Sequence, residues 1–456
     1  MLRKGWFLAA WLLLAGLFLV GGAAPAQADN FIHVTTTNDL IALDQFCSLR
    51  EAIIAANTNA GGIIVGECPA GSATETDVIQ LQAGVTYPLS LAGNNEDAAQ
   101  TGDLDVLNNA MPDVDVRIVA LGTGTAVVEN QGMNDRLWQI HGAGFALEGV
   151  ETRGGTAAVG GGLHNNNGQV TLQDAIFALN TASSGGAISS SGANADLRLT
   201  RVEVTRNIAS NPGTGGGIYN STGLLVIIDS NISGNMAMDD GGGLLNQNAS
   251  ATLTRTRIAG NLSGGCGGGI HNAGSAAMTL IDSQVTGQND ADGPGGGLCN
   301  LATLSVTQGS VVSTNEANAG GGGIYNAGSL TLRSSLLHDN KALDADTDGD
   351  GLGGGLYGVA GSTATVTQSA IVENDAATSG GGVAMDGTLM AFNSTISDNF
   401  GGTTGGLFVM AAGEATLVNV TMADNAALLP LTGTGLHVLS GDIVLGNSIV
   451  ASTVQP

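Results

Sequence analysis

The feature that most constrains this chain is a glycine-rich motif that recurs along most of its length. A clear copy is Gly-Gly-Gly-Ile-Tyr-Asn at 321–326. The apolar residue after the glycines recurs at intervals of 24 to 32 residues, at positions 163, 188, 218, 244, 270, 298, 324, 356, 383, 407 and 436. A period of this length indicates a repeat architecture, in which each unit buries its apolar face against the next one.

A second motif, an apolar residue followed three positions later by Asn, lies between the glycine-rich copies. Short alternating runs such as 330–332 separate the two motifs, and period-two alternation is typical of strands with one buried face. The pattern indicates about three short strands per repeat, with Gly and Asn in the turns because they tolerate positive φ. No helical period is present, which excludes leucine-rich and α-helical solenoids, and propeller blades would need a larger repeat.

The sequence therefore predicts an all-β, right-handed parallel β-helix with one repeat per coil. An antiparallel β-sandwich is the structural alternative. Like residues of successive coils stack at ~4.8 Å in a β-helix, so Phe177, Val204, Ile232 and Ile258 are expected to stack in the core. The asparagines should form a ladder at one bend, where amides bond to one another and to turn backbone. The expected ladder contains Asn180, Asn207, Asn235, Asn261, Asn315, Asn340, Asn374, Asn399 and Asn425.

Residues 1–28 have the pattern of an export signal. Arg3 and Lys4 precede an apolar run, and small residues at 26–28 form a cleavage site. The apolar run is too short to favour a spanning helix, and no later stretch could cross a membrane as one. We therefore expect a secreted or cell-surface protein with no transmembrane helix after signal removal. Its formal net charge of −26 disfavours nucleic acid and anionic lipid as partners.

We interpret residues 29–76 as a cap and residues 77–456 as the β-helix, with regular coils from about 150. A β-helix end exposes strand edges and core, and so needs a cover. Within the cap, Ser48 and Glu51 have the spacing of a capping box at the start of a short helix. Leu49 and Ile53 share that helix's apolar stripe and are expected to lie over the first coil.

Four cysteines are too few for a disulfide scaffold. Cys47 and Cys68 lie close together in the exported cap, and a disulfide between them is expected to stabilise the fold by ~3 kcal/mol. Cys266 and Cys299 are out of register by five residues, so the sequence leaves their pairing open. They also lack the usual four-ligand spacing of a metal site.

The segment 47–52, Cys-Ser-Leu-Arg-Glu-Ala, resembles the CSLREA domain of bacterial extracellular β-helix proteins. The similarity extends through Cys68, 77–81 and the Gly-Asp-Leu-Asp at 102–105. The repeats from about 150 to 450 also resemble those of chlamydial polymorphic outer-membrane proteins and of bacterial right-handed β-helix surface proteins. These resemblances imply a secreted or surface-attached bacterial protein, and they imply no catalytic residue.

A β-helix can also carry a polysaccharide lyase or glycoside hydrolase, and the fold alone decides nothing. A lyase acting on uronates needs a basic residue and positive charge, but only seven basic residues follow position 160. A hydrolase needs two nearby carboxylates, which stacked coils would supply at many places. His164 and His271 occupy equivalent repeat positions, so we predict surface-facing strand residues and no catalytic triad.

One register column alternates in charge over five successive coils. Alternation neutralises each charge, so the column favours an outward ion-pair ladder over a substrate groove. The column consists of Asp174, Arg201, Asp229, Arg255 and Asp282.

The longest interval between repeats contains an acidic insert at 344–351. Its Asp-x-Asp-x-Asp-Gly pattern resembles the calcium loops of EF-hand, dockerin and thrombospondin-type repeats, and oxygen ligands at alternate positions suit calcium. Position twelve is Gly355 rather than Glu, which excludes a complete EF-hand, and a solvated acidic turn is the alternative. The possible ligands are Asp344, Asp346, Asp348 and Asp350.

Together these features predict a secreted or cell-surface β-helix protein with a structural or adhesive role. It would present a polar solenoid face to a glycan or protein ligand, with calcium as the one possible cofactor. A non-enzymatic role is favoured, and a carbohydrate-active β-helix enzyme is the alternative.

Overall fold

The computed structural model describes residues 29–59, 67–93, 96–108, 116–429 and 433–452; the predicted export signal lies outside them. The described strands form three sheets of 15, 24 and 13 strands, in which strands of successive coils pair in parallel. This arrangement confirms the predicted parallel β-helix and excludes the antiparallel sandwich. None of the described helices has the length and apolar character needed to cross a membrane.

The strands of sheet A are Asn30–His33, Asp77–Gln82, Val116–Leu121, Gly144–Glu148, Gln169–Gln173, Asp196–Thr200, Leu224–Ile228, Ser250–Thr254, Ala277–Ile281, Thr303–Thr307, Ser329–Arg333, Thr363–Thr367, Thr388–Phe392, Glu414–Val418 and Asp442–Gly446. The strands of sheet C are Leu104–Leu107, Trp138–His141, Leu163–Asn166, Ile188–Ser191, Ile218–Asn220, Leu244–Gln247, Ile270–Ala273, Leu298–Asn300, Ile324–Asn326, Leu356–Gly358, Val383–Met385, Leu407–Val409 and Leu436–Val438.

Sheet B bends into two limbs, which meet where Thr421–Ala427 pairs with strands of both. Its first limb contains Thr86–Leu89, Ala126–Asn130, Val150–Arg153, Ile176–Ala178, Glu203–Thr205, Asn231–Ser233, Arg257–Ala259, Gln284–Thr286, Val311–Ser313, Leu336–His338, Ala370–Val372, Thr395–Ser397, Thr421–Ala427 and Ile449–Ser452. Its second limb contains Thr156–Val159, Thr181–Ser184, Ile208–Thr214, Met236–Ala237, Leu262–Ser263, Asp290–Ala291, Glu316–Ala317, Lys341–Ala342, Asp375–Ala376 and Phe400–Gly401.

A regular coil runs from sheet A through both limbs of sheet B to sheet C. It therefore has four short strands rather than the three expected from the sequence. The extra strand arises because the asparagine bend divides sheet B into its two limbs. In most coils the corner between sheets A and B carries a non-glycine residue with positive φ, such as Asp174 (49°) or Arg255 (46°). The left-handed conformation costs about 1–2 kcal/mol for each such residue. Strand pairing of the flanking segments with the neighbouring coils offsets this cost.

The triple glycine forms the corner between sheets B and C, and its members are needed for different reasons. Gly215 has a φ of 64°, as expected for a turn glycine. Gly216 does not, but a Cβ there would overlap the carbonyl of Gly242 in the next coil. The second glycine of the motif is therefore needed because neighbouring coils approach too closely there for a side chain.

The core is a continuous column of inward-facing apolar side chains. Phe177, Val204, Ile232 and Ile258 occupy paired positions on successive strands and are buried. Near the N-terminal end, Trp138 is fully buried, and its ring centroid lies 5.7 Å from that of Phe145.

The N-terminal end is covered by the one described α-helix, Leu49–Thr58, which packs on the strand Leu104–Leu107. The predicted capping box is confirmed, since the side chains of Ser48 and Glu51 each accept a hydrogen bond from the other's backbone N–H. The predicted cap segment also supplies Asn30–His33, the first strand of sheet A.

Candidate functional site

One residue of each sheet C strand faces outward. These residues form a column, because each is paired to its equivalent in the next coil. Of the chain's four tyrosines, all but Tyr87 lie in this column, in a chain that is only 4% aromatic. We call it the C column; it consists of Asp105, Gln139, His164, Ser189, Tyr219, Leu245, His271, Cys299, Tyr325, Tyr357, Ala384, Phe408 and His437.

The C column has an aromatic stretch toward its C-terminal end. The rings of Tyr325 and Tyr357 meet edge to face with centroids 5.7 Å apart, and those of Phe408 and His437 stack at 5.2 Å. Tyr325 and Tyr357 are half-buried, and burial raises the pKa of both hydroxyls, so each keeps its proton at neutral pH. The carboxylates of Asp350 and Asp386 lie close enough to raise the pKa of Tyr357 further.

The middle of the C column is covered. His271 is 5% exposed, under a turn that contains Asp240, so its prediction as a surface-facing residue is wrong. The register predicted its outward direction correctly, but the turns that lead into sheet C fold over it. His164 faces outward too, and it is half-buried.

The N-terminal end of the C column opens into a cleft of about 480 Å³, with titratable groups on its walls. Burial, and then the neighbouring Asp105 and Asp135, raise the pKa of Asp103 to about 8, against the lowering effect of Arg136. An Arg136 Nη1 donates to Asp103 Oδ2 at 3.1 Å. Burial, and then the positive charge of Arg136, lower the pKa of His164 to about 4.

A carboxylate–histidine pair lies behind the same wall. Asp105 Oδ1 lies 2.9 Å from His141 Nε2, and Asp105 Oδ2 accepts from the backbone N–H of Ala99 at 3.1 Å. The cleft thus combines a protonated carboxyl group, a neutral imidazole and a guanidinium. Of these groups, Asp103, with a pKa of about 8, is suited to exchange a proton near neutral pH. Sequence reasoning missed it; the available signal was the pair of acids at Asp103 and Asp105, whose spacing of two residues places side chains on the same side of an extended segment.

The predicted asparagine ladder lies in the bend between the two limbs of sheet B. The Nδ2 of each ladder residue donates to the Oδ1 of the next at 2.8–3.0 Å. Asn289 fills the position that the sequence left empty between Asn261 and Asn315. It was missed because one extra residue separates it from Val285.

A second ladder follows sheet C, and the sequence analysis did not anticipate it. Its signal is the Asn that ends the glycine-rich motif. The amides bond at 2.8–3.0 Å along Asn220, Asn246, Asn272, Asn300 and Asn326. Both ladders are buried, so they hold the coils together and offer nothing to a ligand.

The alternating-charge column lies outside, at the corner between sheets A and B. It forms two separate ion pairs rather than a continuous ladder. Arg201 holds Asp174 through two bonds of 2.6 and 2.8 Å, and Arg255 holds Asp229 at 2.6 and 3.0 Å. Asp282 lies outside both pairs, because Arg255 turns toward Asp229.

The acidic insert forms a turn in which the four aspartates can bring carboxylate oxygens within 4.8 Å of one another. Burial raises the pKa of Asp350 to about 6, and the charges of Asp348, Asp346 and Asp344 add to the effect. The turn's own N–H groups bind Asp344 and Asp348, as a solvated acidic turn also would. Calcium binding here stays a prediction.

Both cysteine pairs are joined. The predicted Cys47–Cys68 bond is confirmed, with a Cα–Cα distance of 4.8 Å. Cys266 and Cys299, left open by the sequence, also form a disulfide, with Cα atoms 5.7 Å apart. The turn before the triple glycine brings Cys266 back over sheet C, which removes the mismatch in register.

Comparisons with known proteins found solved structures of low similarity to this chain. No protein-family model and no curated protein sequence matches the chain. The A-module of Azotobacter vinelandii mannuronan C-5 epimerase AlgE4 is 14% identical over 94% of this chain and 100% of its own, with a TM-score of 0.40. The AlgE6 A-module is 14% identical over 92% and 98% (TM-score 0.43), and pectate lyase Pel9A is 12% identical over 93% and 80% (TM-score 0.35).

Proposed function

We propose that the protein is a bacterial secreted or cell-surface β-helix protein of the CSLREA type, and that it binds a glycan without turning it over. The supporting observation is the pairing of Tyr325 and Tyr357 on the outer face of sheet C, beside Asp350 and Asp386. We call these four residues the tyrosine patch. A solenoid suits this role because it presents a long, rigid face to an extended ligand.

The chemistry of the tyrosine patch fits a sugar. Aromatic rings offer apolar surface to the C–H face of a pyranose, while their protonated hydroxyls remain available to donate hydrogen bonds. The two nearby carboxylates accept hydrogen bonds from sugar hydroxyls. With a chain charge of −26, polyanionic glycans are repelled, so the proposed ligand is a neutral or amino-sugar polysaccharide.

The test is binding of the purified protein to immobilised neutral, amino-sugar and acidic polysaccharides. Tyr325→Ala/Tyr357→Ala should weaken binding to the neutral or amino-sugar ligand about tenfold or more, as for loss of an aromatic contact residue. Tyr219→Ala is the matched control, because it removes a tyrosine from the same column whose hydroxyl already bonds to Gln247 at 2.7 Å. Equal binding by the double variant and the wild type contradicts this assignment.

A second candidate function is carbohydrate-active chemistry in the N-terminal cleft. The specific observation is Asp103, a carboxyl group with a pKa of about 8 beside the Arg136 guanidinium. It favours a general acid acting near neutral pH. Incubation with the same polysaccharides, scored for new reducing ends and unsaturated products, separates the two candidates. Turnover that Asp103→Asn abolishes, and the tyrosine variants leave intact, would replace the binding role with an enzymatic one.

A further inference from the structure

We propose that Cys266, His271 and Cys299 form a binding site for zinc or a similar thiophilic divalent cation, and that reduction of the Cys266–Cys299 disulfide opens this site. The three residues come from adjacent coils, so the site exists only because the coils stack. It does not depend on the glycan-binding proposal, although Cys299 is paired with Tyr325 of the tyrosine patch on the next strand.

The first support is geometry. Cys299 is paired directly with His271 on the neighbouring strand of sheet C. Cys266 arrives from the turn that precedes the triple glycine of the same coil as His271. Both sulfurs and a ring nitrogen of His271 lie within 4.8 Å of one another. Two cysteines and a histidine are a common ligand set for zinc, which accepts three protein ligands and a water molecule.

The second support is the state of His271. It is 5% exposed; among the described residues its Nε2 has no hydrogen-bond partner, and its Nδ1 faces the Asp240 carboxylate at 3.3 Å. A buried polar group without such a bond is costly, and a protein usually provides it with a partner. A cation bound to one ring nitrogen would satisfy it.

Asp240 lies where an orienting carboxylate is expected. Its Oδ2 is 3.3 Å from His271 Nδ1, and its Oδ1 accepts the backbone N–H of Cys266 at 2.7 Å. Metal-binding histidines are commonly held by a carboxylate on the ring nitrogen that does not bind the metal. Asp240 therefore links two of the three proposed ligands, and we assign it a positioning role.

Opening the site needs a two-electron reductant, for which a dithiol is the appropriate class. The dithiol transfers two electrons and two protons to the disulfide, giving the Cys266 and Cys299 thiols, and is itself oxidised to a disulfide. The cation then binds both sulfurs as thiolates and releases the two protons. With Zn–S bonds of ~2.3 Å, tetrahedral sulfurs lie roughly 3.8 Å apart, which the Cα–Cα distance of 5.7 Å allows by side-chain rotation.

The cap disulfide supplies an internal comparison. Among the described residues, a histidine at ligand distance accompanies Cys266 and Cys299 but not Cys47 and Cys68. Reduction of the two disulfides should therefore create one cation site, not two.

The experiment is a cobalt titration, because cobalt replaces zinc and its tetrahedral thiolate complexes absorb visible light. The whole protein is reduced, freed of reductant without air, and titrated with Co²⁺ alone, beside an oxidised sample. We expect tetrahedral absorption that saturates near one equivalent in the reduced protein and is absent from the oxidised one. His271→Ala should weaken binding at least ~10-fold and Asp240→Asn by ~10-fold, whereas His437→Ala, from the same column, should have no effect.

A second measurement protects the test from a folding defect. Zinc added to reduced wild type should slow alkylation of Cys266 and Cys299, identified by peptide mass, and leave Cys47 and Cys68 unaffected. Absence of both the cobalt absorption and the zinc protection in folded, reduced wild type overturns the proposal. Equal cobalt affinity in His271→Ala and wild type overturns it as well.

Discussion

The N-terminal end and the regular coils are held together in opposite ways. At the N-terminal end, single contacts that occur once in the chain join the helix Leu49–Thr58 to the first coils. Arg50 is 0% exposed, pairs with Asp39 through two bonds of 2.7 and 3.2 Å, and donates to three backbone carbonyls. In the regular coils, by contrast, each asparagine bond is one of many equivalents.

This difference indicates where a substitution should destabilise the solenoid most. A stacked coil contacts only its neighbours, so damage to one coil stays local and its equivalents remain. The Arg50 contacts have no equivalent, and their loss exposes the end of the core. The opposite end has no such cover among the described residues, and apolar side chains such as Ile449 are 62% exposed there.

The largest expected effect is that of Arg50→Ala. Removing the guanidinium leaves a buried carboxylate at Asp39 and unsatisfied carbonyls, which costs about 3–5 kcal/mol. Urea unfolding measures this loss. Arg117→Ala, which removes an exposed ion pair with Glu148 from the same region, should change stability far less. Equal losses in the two variants would refute the distinction between the two regions.

The next effect is that of Asn261→Ala in the middle of the first ladder. Asn261 donates to Ile232 and Asn289 and accepts from the backbone and side chain of Asn235. Its loss leaves buried groups unpaired and should cost about 2–3 kcal/mol. Hydrogen exchange should increase in the adjacent coils alone. Asn419→Ala is the control, since its amide ladder is exposed, and a chain-wide increase in exchange would show that coils are not locally independent.

A pH series tests the burial of Asp103. Its folded-state pKa of about 8 lies above the ordinary value of 3.8. The contribution of protonated Asp103 to the free energy of unfolding is therefore complete below pH 4 and is lost as pH rises through 8. Asp103→Asn cannot ionise, and it should gain stability over wild type by at most about 1.4 kcal/mol per pH unit between 4 and 8. His164 titrates in the opposite sense in both proteins and cancels in the difference. A pH-independent difference in melting temperature contradicts this.

The acidic turn tests whether an irregular segment within the regular coils is stabilised by an ion. At three times its Kd, one bound calcium should stabilise the fold by about 0.8 kcal/mol. Thermal melting with calcium or chelator measures this, and Asp346→Asn/Asp348→Asn should remove the difference. Identical melting of the wild type with and without millimolar calcium would leave a solvated acidic turn.

The smallest effect is expected for the exposed ion pairs. Arg201→Ala with Arg255→Ala should lower the melting temperature slightly or not at all, because solvent screens both pairs. The same double variant should leave glycan binding unchanged. Loss of binding in a folded double variant would place the ligand at this corner rather than on the tyrosine patch.

Much of the fold was predictable because the sequence motifs that specify it are short and recur along the chain. The glycine and asparagine motifs each recur at nearly every coil, so a single failure such as the extra residue before Asn289 did not hide the pattern. The candidate sites were less predictable because they depend on contacts that occur once. Nothing in the chain around Asp103 indicates that Arg136, from the next coil, will pair with it.

The sequence by itself determined the repeat, its strand direction, the register of the stacked core and the cysteine pair of the cap. These follow from periodicity and spacing, which act within a coil or between neighbours. Only the tertiary structure decided which outward residues are covered and which are accessible. His271 and Tyr325 share one register column, yet a turn from the same face buries the first and leaves the second half-exposed. Register fixes the direction of a side chain, but its solvent exposure depends on segments that fold over it from elsewhere in the chain.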